Sequence, residues 1–141
     1  TTKSATETQA LGHKLGRSLI GGEVIALQGN LGAGKTTFLK GLAKGLRIKT
    51  PITSPTFVLM KIYPVLKHKT IKQFVHVDCY RVTGADINKI GLNDYFNDPQ
   101  TVVAIEWSTK LNHLNPTYLI KLSLGKNNYE RIIKINNHPH T

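Results

Sequence analysis

The sequence lacks the residue patterns that mark secreted, metal-binding and membrane-spanning proteins. It has one cysteine, Cys79, in 141 residues, which excludes an internal disulfide framework. Its six histidines are scattered, without the spacing of a metal site. No apolar run reaches the length of a membrane span, and the first residues lack the apolar segment of a signal peptide. These absences favour a protein of the reducing cytoplasm with no membrane partner.

Acidic residues are also few, and the chain is strongly basic. Asp and Glu together number 8 against 19 Lys and Arg, which gives a net charge of +11 at pH 7. Such an excess is typical of proteins that bind a polyanion such as RNA. A proteome-wide bias toward lysine and asparagine would also explain it, and no RNA-binding motif is visible. Charge alone therefore leaves direct RNA binding open.

Length and composition predict a globular protein. The chain has 141 residues, of which 40% are hydrophobic and 19% are charged. These values are ordinary for a folded domain with one core. We therefore expect a single domain over residues 1–141.

The most informative motif is a phosphate loop. Residues 29–36 read Gly-Asn-Leu-Gly-Ala-Gly-Lys-Thr and match the complete pattern G-x-x-x-x-G-K-[ST]. The apolar run 24–27 before it predicts a buried strand, and the apolar spacing after it predicts a helix that ends near Gly45. In such a loop backbone N–H groups point at phosphates, the lysine reaches the β- and γ-phosphates, and the next hydroxyl reaches Mg²⁺. We therefore predict a nucleotide site formed by Gly29, Asn30, Leu31, Gly32, Ala33, Gly34, Lys35, Thr36 and Thr37.

Two predicted strands end in a carboxylate. Hydrolysis by a phosphate-loop protein requires a carboxylate that holds Mg²⁺ or its waters, and a group that positions the attacking water. Asp78 ends the apolar run 74–78, and Glu106 ends the run 101–106. Ligands of open α/β sheets gather at the carboxyl ends of parallel strands, where the phosphate loop also lies. Either acid alone is an ordinary polar strand end, but two of only 8 acids beside this loop favour a site. We predict Asp78 and Glu106 as the candidates for the carboxylate that holds Mg²⁺ or its waters and for the group that positions the attacking water. Lys35 and Thr36 of the loop are the other catalytic and metal-binding candidates.

Two further features have two interpretations each. The segment Thr-Ser-Pro-Thr-Phe at 53–57 carries hydroxyls and a stiff proline. It is either a switch-like loop that senses the γ-phosphate or a Ser-Pro turn that enters a strand. Trp107 has two interpretations. It either anchors the site or a bound partner, or it is a half-buried aromatic residue at the end of a strand.

The order of predicted elements indicates an α/β fold with three layers and a mixed sheet. A capping box at Ser4 starts a first helix, whose apolar stripe is Leu11, Leu15 and Leu19. Further strands are predicted at 57–63, 74–78, 101–106, 118–124 and 129–135, with a short helical region at 85–96. The last two strands flank a Gly-Lys-Asn-Asn turn and form a C-terminal antiparallel hairpin. The tail from Asn136 is expected to fray.

These motifs, in this order, resemble the TsaE family of bacterial P-loop proteins, which serve tRNA threonylcarbamoyladenosine biosynthesis. The resemblance covers about residues 11–131 and rests on the loop at 29–38, Ser-Pro-Thr-Phe at 54–57, His-Val-Asp-Cys-Tyr-Arg at 76–81 and Ile-Glu-Trp at 105–107. It is weak in the C-terminal strands, so no adenine contact is carried over to Arg131.

The resemblance implies an ATPase that serves a larger machine. Its cofactors would be ATP and Mg²⁺, and its partners the TsaD and TsaB proteins, which act with a TsaC type of enzyme on tRNA. Contact with tRNA would be indirect, through that complex. Thr36 and Glu106 would form the Mg²⁺ site, Asp78 would be a second metal-shell or catalytic carboxylate, and residues 53–57 would face nucleotide and partner.

The alternative function is a small P-loop kinase that phosphorylates a metabolite. Kinases of this fold usually add a lid with arginines and an acceptor pocket. This chain has four arginines, Arg17, Arg47, Arg81 and Arg131, and no visible lid insertion. The sequence therefore favours a slow ATPase that depends on its partners.

Overall fold

The computed structural model of the chain describes residues 1–29, 32–52, 60–78, 92–96, 98–106 and 115–137. Two helices, six strands and one 3₁₀ turn lie within these ranges. In chain order they are α1 (Ala5–Ser18), β1 (Val24–Gln28), α2 (Lys35–Gly45), β2 (Met60–Pro64), β3 (Gln73–Asp78), the 3₁₀ turn (Leu92–Asp94), β4 (Thr101–Glu106), β5 (Tyr118–Leu124) and β6 (Arg131–Asn137).

The strands form one mixed sheet in the order β2-β3-β4-β1-β5-β6. β1 runs parallel to its neighbours β4 and β5, and β3 runs parallel to β4. The edge strands β2 and β6 are antiparallel to β3 and β5. β1 takes a central position because its residues Val24 to Leu27 are apolar and buried on both faces, as a covered parallel strand requires. The predicted α/β class, mixed sheet and C-terminal antiparallel hairpin are confirmed.

Apolar side chains on both faces of the sheet produce three layers. On one face, Leu27 and Phe74 pack with Phe38 and Leu39 of α2. The other face carries a second apolar cluster. Its strand residues include Val75, Val77, Val103 and Ile105, and it is covered by Leu92 of the 3₁₀ turn and by Tyr95 and Phe96, which follow the turn. The first face carries both helices, so the phosphate-loop helix lies directly on the sheet.

The two helices pack through glycines, which the predicted leucine stripe did not anticipate. Thr8, Gly12 and Gly16 are the buried residues of α1, whereas Leu11 and Leu15 are only partly buried at the edge of the core. A Cβ at Gly12 would overlap the Phe38 carbonyl, and one at Gly41 would overlap the Gln9 carbonyl. The backbones therefore approach more closely than leucine side chains would allow.

The first helix begins as the sequence predicts. Ser4 is the N-cap of α1, and its Oγ accepts a hydrogen bond from the Glu7 backbone N–H at 3.1 Å. This bond satisfies one of the N–H groups that a helix start leaves without a partner. The two α-helices of the described ranges, α1 with 14 residues and α2 with 11, are too short and not apolar enough to cross a bilayer.

The last strand is shifted from its predicted position. The prediction of 129–135 was wrong at both ends, because β6 begins at Arg131 and continues to Asn137. Asn127 Oδ1 accepts from the backbone N–H groups of Tyr129 and Glu130 at 2.8 and 3.0 Å, which keeps both residues in the turn. The predicted frayed tail does not start at Asn136, because Asn136 and Asn137 are paired with β5 as the end of β6. Residues 138–141 of that tail lie outside the described residues.

Other predicted elements fall partly outside the described residues. Strands β1, β3, β4 and β5 match their predictions within one residue, and α2 ends at Gly45 as predicted. The start of the strand predicted at 57–63 lies outside the described residues, and the visible part forms β2. Of the helical region predicted at 85–96, residues 85–91 also lie outside the described residues, and the described part contains the 3₁₀ turn.

Candidate functional site

The phosphate-loop motif lies between the central strand and the helix that covers it. Gly29 directly follows β1, and Lys35 is the first residue of α2. Gly32 and Gly34 have φ angles of +83° and +100°, a region that residues with a Cβ rarely adopt. At Gly29 a Cβ would lie 2.7 Å from the Leu122 carbonyl oxygen. The backbone itself therefore requires these three glycines of the motif.

The two helices differ in how their positive ends are satisfied. The start of α1 is capped by the Ser4 side chain and has Glu7 in its first turn. The start of α2 has Gly34 as its N-cap, with no side-chain hydrogen bond and no acidic residue in its first turn. Side chains of the described residues thus leave the N–H groups and the positive dipole end of α2 available to an external anion.

Lys35 holds a positive charge at the mouth of this loop. Its side chain is buried, and its Nζ donates a hydrogen bond to the Gly29 carbonyl at 2.7 Å. The bond joins the first and seventh residues of the motif, so the ammonium lies across the loop. Thr36 and Thr37, the other polar residues of this first helical turn, are half-buried. The arrangement suits a ligand with several negative oxygens.

The predicted carboxylates lie at the same edge of the sheet as the loop. Asp78 and Glu106 are the last residues of β3 and β4 and are directly paired in the parallel register. Glu106 is also paired with Leu27 of β1, two residues before Gly29. Because β3, β4 and β1 are parallel, their carboxyl ends meet at one edge. The structure therefore brings Asp78, Glu106 and the loop together.

Glu106 is a buried carboxylate held by a buried histidine. Glu106 is 5% exposed and His76 is 1% exposed. The His76 Nε2 lies 3.2 Å from Glu106 Oε2 and donates to it, which fixes the orientation of the carboxylate. The other ring nitrogen, Nδ1, is buried and has no hydrogen-bond partner among the described residues. A buried imidazole thus positions one of the two predicted acids.

A small cleft opens beside the loop on the side of the C-terminal hairpin. It has a volume of about 90 Å³ and is lined by Gly34 and Thr37 together with Ala5, Thr8, Asn128, Tyr129 and Arg131. Arg131 donates to the Asn128 and Glu130 carbonyls at 2.8 and 2.9 Å. A Cβ at Gly34 would lie 3.7 Å from Arg131 Nε. These bonds hold the guanidinium next to the phosphate loop.

Sequence reasoning did not place His76 or Arg131 in the site. His76 precedes Asp78 by two residues on β3, so the alternation of strand side chains puts both on one face, and this signal was available. Arg131 can be assigned to the site only once β5 is known to pair with β1, because the β5–β6 hairpin then brings Arg131 back to the phosphate loop. That pairing cannot be read from local sequence.

Several predicted site residues lie outside the described residues. These are Asn30 and Leu31 of the loop, the segment 53–57, Arg81 and Trp107. The roles predicted for them stay predictions.

The fold and the site define an α/β protein that carries a phosphate-loop motif between the central strand of a mixed sheet and the next helix. The sequence profile described as "Threonylcarbamoyl adenosine biosynthesis protein TsaE" matches residues 2–133. The chain therefore belongs to the TsaE family, and the resemblance inferred from its motifs is confirmed.

Individual relatives agree with this assignment. The tRNA threonylcarbamoyladenosine biosynthesis protein TsaE of Treponema pallidum is 40% identical over 124 residues, which cover 87% of this chain and 87% of the relative. The protein of the same name from Bacillus subtilis is 34% identical over 125 residues, covering 89% of this chain and 75% of the relative. Among solved structures, B. subtilis YdiB superimposes with a TM-score of 0.71 at 29% identity, covering 97% of this chain and 83% of YdiB.

Proposed function

We propose that this chain is a Mg²⁺-dependent ATPase of tRNA threonylcarbamoyladenosine biosynthesis. It forms one domain over residues 1–141 and acts on tRNA in the cytoplasm together with TsaD and TsaB type partners. The observation that carries the proposal is the uncapped start of α2, which follows a phosphate loop at the central strand of a TsaE family member. An anion site of this kind suits the phosphates of a nucleotide.

The residues present fit ATP. The N–H groups at the start of α2 and the Lys35 ammonium would bind the β- and γ-phosphates, and Thr37 would reach the α-phosphate. The cleft beside Arg131 adjoins Thr37. Its volume of about 90 Å³ is far below the roughly 300–1,000 Å³ of whole ligand pockets, so it would hold only part of the nucleoside. The planar Arg131 guanidinium would pack on that part.

The residues also fit Mg²⁺. Hydroxyl and carboxylate oxygens are the ligands that Mg²⁺ prefers, and Thr36 and Glu106 supply one of each, with Asp78 beside them. The described residues contain no group of three His, Cys, Asp or Glu that would form a metal cage. Mg²⁺ sites in phosphoryl-transfer enzymes instead use one or two carboxylates plus substrate phosphates. Bound Mg²⁺ would neutralise charge that develops on the transferred phosphoryl group.

The positions of the three described arginines support dependence on a partner; the fourth, Arg81, lies outside the described residues. Arg17 and Arg47 line a surface at the other end of α2, and Arg131 is bonded to two carbonyls of its own hairpin. Transition-state charge in phosphoryl transfer is often stabilised by an arginine, which in GTPase–activator pairs is worth about 10³–10⁵ in rate. We therefore propose that TsaD and TsaB supply or order the missing element, and that the isolated chain is slow.

Steady-state phosphate release tests the proposed function. ATP turnover is measured for the chain alone and with a TsaD–TsaB complex, which should raise it by about tenfold or more. In parallel, γ-labelled ATP is incubated with the chain and a metabolite mixture. Turnover of several per second by the chain alone, unchanged by the complex, would contradict the proposal. Label transferred to a metabolite would instead support the alternative, a small kinase.

A further inference from the structure

Two adjoining grooves lie at the end of α2 that is remote from the phosphate loop. The first, of about 520 Å³, lies between the ends of α1 and α2 and the connection 65–72, and the second, of about 560 Å³, continues along the end of α2. Arg47 and Lys67 line both grooves. At about 1.5 Å per residue, the 11 residues of α2 separate these grooves from the loop by roughly 16 Å. The grooves are therefore distinct from the nucleotide site.

The grooves are lined by positive charge without compensating acids. Their described lining contains six exposed cationic side chains and no carboxylate: Arg17, Lys44, Arg47, Lys49, Lys67 and Lys69. Apart from Lys44, which donates to Gln9 Oε1 at 3.5 Å, these six form no side-chain hydrogen bond or ion pair with a described residue. Like charges that are brought together without partners are available to an external polyanion.

Arg47 occupies a backbone position that normally requires glycine. Among the described residues it is the one non-glycine with positive φ, at +61°. The Arg47 and Ile48 N–H groups bond to the Lys44 and Ala43 carbonyls, both at 2.9 Å, which is the Schellman ending of a helix. The left-handed residue of that ending is usually glycine, because a Cβ is unfavourable there. The fold therefore carries a strained arginine where both grooves meet, and strain of this kind is typical of functional positions.

The opposite wall is held in place by His68. Its Nδ1 accepts hydrogen bonds from the Thr70 and Ile71 backbone N–H groups, both at 3.0 Å. Its Nε2 therefore carries the proton and donates to the Leu19 carbonyl at 3.2 Å, just after α1. The ring thus ties the connection that bears Lys67 and Lys69 to the end of α1. The backbone that carries the two lysines is thereby held in place, which lowers the cost of ordering this wall when a ligand binds.

We propose that these two grooves bind the phosphodiester backbone of RNA directly. Interfaces with nucleic acid are strongly positive, whereas the centres of protein–protein interfaces are depleted of charged residues and enriched in aromatics. The described lining of the grooves has no Phe, Tyr or Trp, and both ring nitrogens of its one histidine, His68, bond to the backbone, so the lining offers mainly phosphate contacts rather than base stacking. The choice of RNA among polyanions rests on the proposed role in tRNA modification.

An anionic membrane is the rival occupant. Ile20 and Leu66 are 72% and 86% exposed and lie beside the basic residues, as anchors of a membrane-binding surface would. RNA is favoured because the six cations line both grooves and because the proposed role in tRNA modification brings the chain to RNA. The test therefore includes vesicles.

Binding of a labelled, structured RNA transcript of tRNA size is measured by fluorescence anisotropy at several salt concentrations. The test variant is Arg47→Gly with Lys67→Gln. The matched control is Lys121→Gln with Lys134→Gln, which removes the same charge from exposed positions on the β5–β6 hairpin. Arg47→Gly relieves the left-handed strain, so the test variant should melt no earlier than the wild type.

The proposal predicts at least tenfold weaker RNA binding for the test variant and less than twofold for the control. The slope of log K against log salt should fall by roughly 1.4–1.8 units, since roughly 0.7–0.9 unit is lost for each of the two phosphate contacts. Both variants should bind ATP as the wild type does, which separates this result from a failure of the proposed ATPase. Equal losses in both variants, no RNA binding by the wild type at 100 mM salt, or binding to phosphatidylserine vesicles but not to RNA would each overturn it.

Discussion

Lys35 is the residue on which nucleotide binding depends most directly. Lys35→Ala should weaken ATP binding at least tenfold, because each charge-assisted hydrogen bond contributes about 1.5–3 kcal/mol. Titration calorimetry measures the change. Lys40→Ala, at an exposed position on the same helix, is the control that removes the same charge. Wild-type affinity in Lys35→Ala, or an equal loss in Lys40→Ala, would contradict a phosphate-binding role for this lysine.

Glu106 is the acid most directly linked to the metal. Glu106→Gln keeps the side-chain shape and a hydrogen bond with His76 while it removes the charge. ATP affinity without Mg²⁺ should change little, whereas Mg²⁺-dependent phosphate release should fall at least tenfold, because the metal loses an anionic ligand. Asp78→Asn should have the same direction of effect. Unchanged turnover in both variants would leave the two strand-end acids as structural features.

His76 should act through Glu106 rather than on the nucleotide. His76→Leu removes the donor that orients the carboxylate, and the loss of such outer contacts typically weakens metal binding about 10–100-fold. His76→Gln, whose amide can still donate, should restore much of that loss. Mn²⁺ binding to the ATP complex, followed by electron paramagnetic resonance, reports the metal directly. Equal behaviour of the Leu and Gln variants would show that His76 only fills space.

At the scale of elements, the contact between α1 and α2 depends on glycine. Gly41→Ala would push a methyl group into the Gln9 carbonyl of α1 and force the helices apart. We expect a loss of about 1–3 kcal/mol in the free energy of unfolding, the usual range for overpacking. Urea denaturation measures it, with the exposed Lys40→Ala as control. A loss below roughly 0.5 kcal/mol, typical of surface changes, would show that the helices separate without strain.

Local sequence predicted the elements far better than their arrangement. β1, β3, β4 and β5 are short apolar runs with clear ends, so periodicity and turn residues were sufficient. β6 was misplaced because side-chain bonds from Asn127 extend the turn, and its alternation alone does not reveal them. The glycine contact of α1 was missed because hydrophobic stripes do not report backbone proximity.

In the candidate site, too, local sequence predicted individual residues better than contacts between distant parts of the chain. The loop, Asp78 and Glu106 were predicted because each follows from a motif or a strand end. Their meeting at one edge is a consequence of parallel pairing, which the general rule for α/β sheets anticipated. Arg131 was not assigned, since its position depends on the non-local pairing of β5 with β1. Strand order is decided by contacts distant in sequence, and these leave no local pattern.

At the scale of the whole molecule, α2 joins two surfaces of different character. Its start faces the loop and two acids, and its end faces the six cations of the two grooves. The net charge of +11 is therefore concentrated in part at a defined surface. If the grooves bind RNA, one helix would contact both the nucleotide and the RNA, each at one of its ends. ATP binding itself does not require the grooves.

The most direct test of the central claim is reconstitution of the tRNA modification. Purified TsaC, TsaD and TsaB type enzymes are supplied with tRNA, threonine, bicarbonate and ATP, and threonylcarbamoyladenosine is quantified by mass spectrometry with and without this chain. The wild-type chain should raise product formation over many turnovers, and Lys35→Ala should not. Equal product without the chain, or full activity with Lys35→Ala, would contradict the account.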